Sequence, residues 1–165
     1  MWSLILEDGE SRDYQNKTWY HGTQRLTAVL QSKRLKTRAE GMRAVNAAAM
    51  GLGVYLTDDL DEAKAYVAAG TDGGVVGVQF VRPVKLLRLY DTPADSGTFE
   101  HIRSLGLNGP DKATRLVEQW GYQGVHWDMR DGFQKVAVYD PNVLSDVVLV
   151  ARSITPDGTL DQSWE

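Results

Sequence analysis

Cysteine is absent from this 165-residue chain, which excludes disulfide staples, thiolate zinc sites and a cysteine nucleophile. Histidine is scarce: the three present, His21, His101 and His126, are spaced too widely for a local metal motif. No apolar run approaches the ~20 residues that a membrane helix needs, and Trp2-Ser3-Leu4-Ile5-Leu6 meets Glu7 and Asp8 with no basic leader before it. A soluble, cytoplasmic protein is therefore expected. Positive charge is not in excess either: 18 Lys and Arg stand against 22 Asp and Glu, for a formal charge of -4. The whole domain has no electrostatic reason to bind nucleic acid. A local exception is Lys33-Arg34-Leu35-Lys36-Thr37-Arg38 with Arg43 beyond it, a solvated face or a contact for phosphate or target. Repeats, linkers and low-complexity blocks are also missing, so a single domain is expected over 1–154, followed by a polar, frayed tail over 155–165.

Against these absences, two stretches carry dense information. Residues 51–66 read Gly-Leu-Gly-Val-Tyr-Leu-Thr-Asp-Asp-Leu-Asp-Glu-Ala-Lys-Ala-Tyr. Glycines that permit a sharp turn or close backbone approach lead into a short apolar strand. Thr57 and Asp58 are candidate N-caps, and Leu60, Ala63, Tyr66 and Val67 then recur at helical spacing. Tyr55 on the strand and Tyr66 on the helix could line one cleft suited to a flat aromatic ligand, or could be packing residues with wet hydroxyls. Upstream, Trp19-Tyr20-His21-Gly22-Thr23 offers a ring donor or acceptor, an uncovered backbone unit and a hydroxyl within ~7 Å of extended chain.

Taken together, Tyr20-His21-Gly22-Thr23, then Gly51-x-Gly53-Val54-Tyr55-Leu56-x-Asp58, then Tyr66 resemble the ADP-ribosyltransferase superfamily, in its diphtheria-toxin and poly(ADP-ribose)-polymerase-like branch with a His-Tyr-Glu signature. Gly121-Tyr122-Gln123-Gly124-Val125 and the stretch from Val136 through Tyr139-Asp140-Pro141 to Val143 are similar to the C-terminal elements of small bacterial and phage transferases of that superfamily. The resemblance covers roughly residues 18–150. It implies an NAD cleft with no metal: His21 on the adenine-side ribose, the Gly22 backbone on the nicotinamide carboxamide, Tyr55 and Tyr66 against the nicotinamide ring, and Thr23 in support. A glutamate five residues before the Asp of Tyr-Asp is also implied. That position is Lys135 here.

A lysine ammonium ~4 Å from a forming ribosyl cation would oppose it by roughly 4 kcal/mol at an effective dielectric near ~20, about a thousandfold in rate. The expectation is that Lys135 faces away and that a bulge or one-residue slip turns Gln134 into the cleft as the catalytic group, with Tyr55 and His21. Asp128 or Asp131, in the turn just before, could instead supply an acid. The resemblance thus implies a monomeric mono-ADP-ribosyltransferase acting on an unidentified macromolecular target, protein rather than nucleic acid, as a bacterial toxin or phage host-takeover factor would. An NAD- or ADP-ribose-binding module without turnover is the alternative. An RNA 2'-phosphotransferase type would need an anion pocket that only the basic run over 33–43 could serve.

Periodicity supplies the frame. Strands are expected over 2–6, 19–21, 54–56, 75–81, 84–89, 125–127, 134–139 and 145–151, the last buried on both faces. Helices are expected from Thr23 through Ser32, over 60–69, over 99–105 and after Pro110, with Ala113, Leu116, Val117 and Trp120 on one face. Residues 91–97 read as loop, 106–110 as a break, and 33–50 as a flap over the site. This order is not a regular βαβ alternation. It predicts an α+β domain of two packed, mainly antiparallel sheets with flanking helices around a cleft, in agreement with the family fold.

Overall fold

The computed structural model describes residues 14–37, 49–67, 72–89, 93–129 and 132–152. Its elements run β1 (Trp19–Thr23), α1 (Leu26–Ser32), β2 (Val54–Thr57), α2 (Leu60–Ala65), β3 (Gly74–Val78), β4 (Leu87–Leu89), α3 (Pro93–Asn108), α4 (Pro110–Gln119), β5 (Gly124–Asp128), β6 (Gln134–Val138), a 3-10 turn (Pro141–Val143) and β7 (Val148–Arg152). The chain is α+β. Instead of two sheets, the seven strands form one mixed sheet in the order β4-β5-β6-β2-β1-β3-β7. Every neighbouring pair is antiparallel except β4 and β5, which run parallel.

The expectation of two sheets fails at one narrow place. Strands β1 and β2 are joined by the single pair Tyr20 opposite Thr57, whereas β1 meets β3 over five pairs and β2 meets β6 over four. Beneath this seam one face is sealed by a continuous core: Trp19, Val76 and Val78 from one side, Val54, Leu56, Val136 and Val138 from the other, with Tyr14, Phe80 and Leu26. The opposite face is divided. Tyr55, Val125, Trp127 and Ala137 pack with Ile102, Ala113 and Val117 of α3 and α4, while Tyr20 and Val75 pack with Ala63 of α2.

Several local expectations shift for identifiable reasons. Helix α1 begins at Leu26 and not at Thr23, because the Thr23 hydroxyl accepts from the Arg25 amide at 3.0 Å. The cap comes from Asp72, which accepts from the amide and hydroxyl of Thr27 at 3.0 and 2.7 Å. Asp59, one residue beyond the expected caps, accepts from the Glu62 amide at 3.0 Å and starts α2. Helix α3 runs straight through the expected loop at 93–97 and the break at Gly106. Gly106 is there for contact, since a Cβ would lie 1.8 Å from the Ala49 carbonyl oxygen.

Pro110 does open α4, and Ala113 and Val117 are buried, but Trp120 is 45% exposed. Strand β7 is a sheet edge, not a buried strand: Val148 and Leu149 are 67% and 38% exposed. The expected strand at 2–6, the tail from 155 and most of the flap lie outside the described residues. Among the described residues no helix is long and apolar enough to cross a membrane.

A polar chain runs along the sealed face at the outer strands. The buried His126 shares a hydrogen bond between its Nδ1 and the Tyr14 hydroxyl, and its Nε2 faces Asp128 at 3.3 Å, off the hydrogen-bond direction. Asp128 in turn accepts from Arg88 at 3.1 Å. The His126 and Arg88 partners hold the Asp128 carboxyl below the usual carboxylate range against the opposing effect of burial. A depressed folded-state pKa stabilises the fold above the ordinary carboxylate range, and that contribution is lost as pH falls through the folded value. Asp128→Asn is accordingly expected to lower the urea midpoint at pH 7 and to converge with the parent chain only as the pH falls below the ordinary carboxylate range. Paired urea titrations check this; a constant difference across pH contradicts it.

Candidate functional site

The two motifs singled out in the sequence meet at the seam between β1 and β2. Past the Tyr20–Thr57 pair the ladder stops, and the His21 ring closes the gap: its Nδ1–H donates to the Tyr55 carbonyl at 2.8 Å. A carbonyl can only accept, so Nδ1 carries a proton in this bond. Gly22, next along β1, lies under the end of α2. A Cβ there would fall 2.2 Å from the Ala63 carbonyl oxygen and 3.2 Å from the Tyr66 Cβ. The glycine therefore lets the strand pass directly beneath the turn that carries Tyr66.

The two tyrosines take different roles. Tyr55 is half-buried, its ring edge-to-face with Trp127 at 6.4 Å. Its hydroxyl donates to the Gly51 carbonyl at 2.8 Å and accepts from the Met50 amide at 2.9 Å. The 49–53 stretch is pinned further by the Tyr139 hydroxyl, which donates to the Met50 carbonyl, and by Thr114, which accepts from the Leu52 amide, both at 2.7 Å. Burial raises the Tyr139 hydroxyl far above the ordinary phenol range, so it remains a donor. Tyr55 is thus a fixed floor. Tyr66, at the C-terminal end of α2 and 52% exposed, is a wall with little packed against it.

Register decides what stands beside Tyr66. Thr57 pairs with Lys135 and Tyr55 with Ala137 without a bulge, and side chains alternate along each strand, so Lys135 shares the divided face with Tyr55. The expected slip does not occur because Asp58 clamps the strands: its amide donates to the Gln134 carbonyl at 3.1 Å and its Oδ1 accepts from the Gln134 amide at 2.7 Å. Gln134 lies on the sealed face instead, where its Oε1 accepts from Lys17 at 3.3 Å. Of the turn acids, Asp128 also lies on that face and Asp131 is outside the described residues. Thr23 is occupied by its own turn. In the basic run, Arg34 is tied to the Pro141 carbonyl at 3.1 Å, and Leu35 is buried.

Lys135 donates to the Tyr66 hydroxyl at 2.7 Å and pairs with Glu62 at 2.8 Å. Its Nζ is 5.1 Å from the Tyr66 ring centre. With Nζ so close to the hydroxyl oxygen, that separation puts the ammonium off the hydroxyl end of the ring, not above its face. Burial pulls the ammonium's pKa down, but the bonds to Glu62 and Tyr66 outweigh it and hold it above the usual lysine value. Glu62 also borders an open surface depression with Asp59, Asp61, Gly132 and Phe133, which His21, Gly22, Tyr55 and Tyr66 do not line. Sequence reasoning missed Glu62, although its place four residues before Tyr66 puts both on one helical face.

Among the described residues no cluster of His, Asp or Glu is placed to hold a metal ion. Comparison with protein-family models and with curated proteins returned no match.

Proposed function

We propose that the chain is a mono-ADP-ribosyltransferase of ADP-ribosyltransferase-like fold that binds NAD in the seam between β1 and β2, releases nicotinamide and transfers ADP-ribose to a macromolecular target, protein before nucleic acid. One observation carries this reading: where the sheet's ladder is interrupted, His21 of β1 bonds the Tyr55 carbonyl of β2, and Gly22 beside it lies under the turn that carries Tyr66. The exposed phenol ring of Tyr66 suits a pyridinium ring, and such a contact contributes about 1 kcal/mol. A single-domain, cysteine-free transferase of this kind suits a cytoplasmic toxin or a phage host-takeover factor.

The test uses labelled NAD and a cell lysate. The parent chain is expected to label a macromolecule, and Tyr66→Ala to lose about fivefold of that labelling with an unchanged melting temperature, since the residue is 52% exposed. Equal labelling by the variant removes Tyr66 from the site. A second reading, an NAD- or ADP-ribose-binding module without turnover, is favoured by Lys135 standing where the family resemblance implies a glutamate. Binding of NAD with no nicotinamide released in any lysate selects it.

A further inference from the structure

Cleavage of the bond between nicotinamide and ribose leaves a cation on the sugar, and enzymes that break glycosidic bonds in this way place a carboxylate beside it. Strand β6 provides none, because Lys135 is the residue it presents on the divided face. Asp58 binds Lys17 and the Gln134 amide, Asp59 caps α2, and Asp128 belongs to the sealed face.

Glu62 differs from them. It stands one helical turn before Tyr66 and is linked to that ring's hydroxyl through Lys135. We propose that Glu62 is the carboxylate that serves the reacting ribose and that Lys135 is its positioning residue. The inference rests on the transferase reading above.

In this arrangement the lysine is no longer a bare opposing charge. Paired at 2.8 Å with a carboxylate, it forms a neutral couple in which the acid can be the member nearer the sugar, and its second bond fixes the couple to Tyr66. The C1'–N bond breaks with its electron pair going to the nicotinamide nitrogen. The acceptor's lone pair then forms the new bond to C1', and its proton leaves to solvent. Glu62 stabilises the positive charge between these events and forms no covalent bond.

The test measures nicotinamide release and, by calorimetry, NAD affinity, with the full chain throughout. Glu62→Gln is expected to lower kcat by about 100-fold or more while the Kd for NAD stays within about threefold. Lys135→Met should also lower kcat, and Lys135→Arg, which keeps the pair, should recover most of that loss. The double exchange E62K with K135E moves the carboxylate to the strand and preserves the couple, and should recover at least about tenfold of the Glu62→Gln loss. Parent-like turnover in Glu62→Gln overturns the proposal and leaves the transferase reading standing. Equal turnover in Lys135→Met and Lys135→Arg overturns the positioning role. If the parent chain binds NAD but releases no nicotinamide, this proposal and the transferase reading fall together.

Discussion

Gly22→Ala is expected to lose NAD binding by at least about tenfold and to lower stability by about 1–3 kcal/mol. The added Cβ would sit 2.2 Å from the Ala63 carbonyl oxygen, a backbone atom of α2 that cannot rotate away. Either β1 bends off β3, to which it is paired on both sides of Gly22, or α2 lifts. Lifting α2 carries Tyr66 and Glu62 with it, so stability and binding should fall together. Gly77→Ala, in the neighbouring strand, is the control. Its Cβ would meet the Thr18 and Val150 side-chain methyls at 3.0 and 3.2 Å, and the nearest backbone atom, the Trp19 oxygen, stands at an ordinary 3.9 Å. Thermal melts and calorimetric titration with NAD check both variants. A Gly22→Ala protein with parent affinity would mean that the end of α2 is no wall of the site.

The largest loss of stability should come from Trp19→Ala, at about 3–5 kcal/mol. For a chain of this length that corresponds to a fall of roughly 6–20 °C in melting temperature. Trp19 is 0% exposed, its indole N–H donates to the Tyr14 carbonyl at 3.1 Å, and its ring meets Tyr14 and Phe80 at centroid distances of 6.0 and 6.1 Å. Truncation therefore opens a cavity and also strands a buried acceptor. Tyr14 is held by this contact on one side and by His126 on the other, so the damage should spread to the polar chain on the sealed face. Trp19→Phe, which fills much of the volume but cannot donate, should fall between the two. Chemical denaturation ranks the three; a Trp19→Ala loss below about 1 kcal/mol contradicts this account of the core.

What the sequence made legible is what depends on neighbours along the chain. The strand at 54–57, the change of period into α2, the proline at the start of α4 and the existence of β5 and β6 all follow from spacing and turn chemistry. Partners distant in sequence were not legible. Asp72 caps α1 from 45 positions away, and Ala49 explains why α3 carries a glycine without breaking. The apolar composition of β7 looks the same whether a strand is covered or forms an edge, and only topology separates the two.

The site follows the same division. His21, Gly22, Tyr55 and Tyr66 were visible because each belongs to a compact motif. The choice between Gln134 and Lys135 turned on a register set by Asp58, 76 positions away from Gln134. Glu62 became visible only once its partner across the sheet was known.

The single-pair join between β1 and β2 also has a mechanical meaning. Four strands on one side and three on the other are each braced by full ladders, so strain concentrates along one line. Across that line side chains do the joining instead: His21 of β1 holds the Tyr55 carbonyl, and Lys135 of β6 holds Tyr66 and Glu62 at the α2 end. The two halves are thus riveted at points where elsewhere they are stitched along their length.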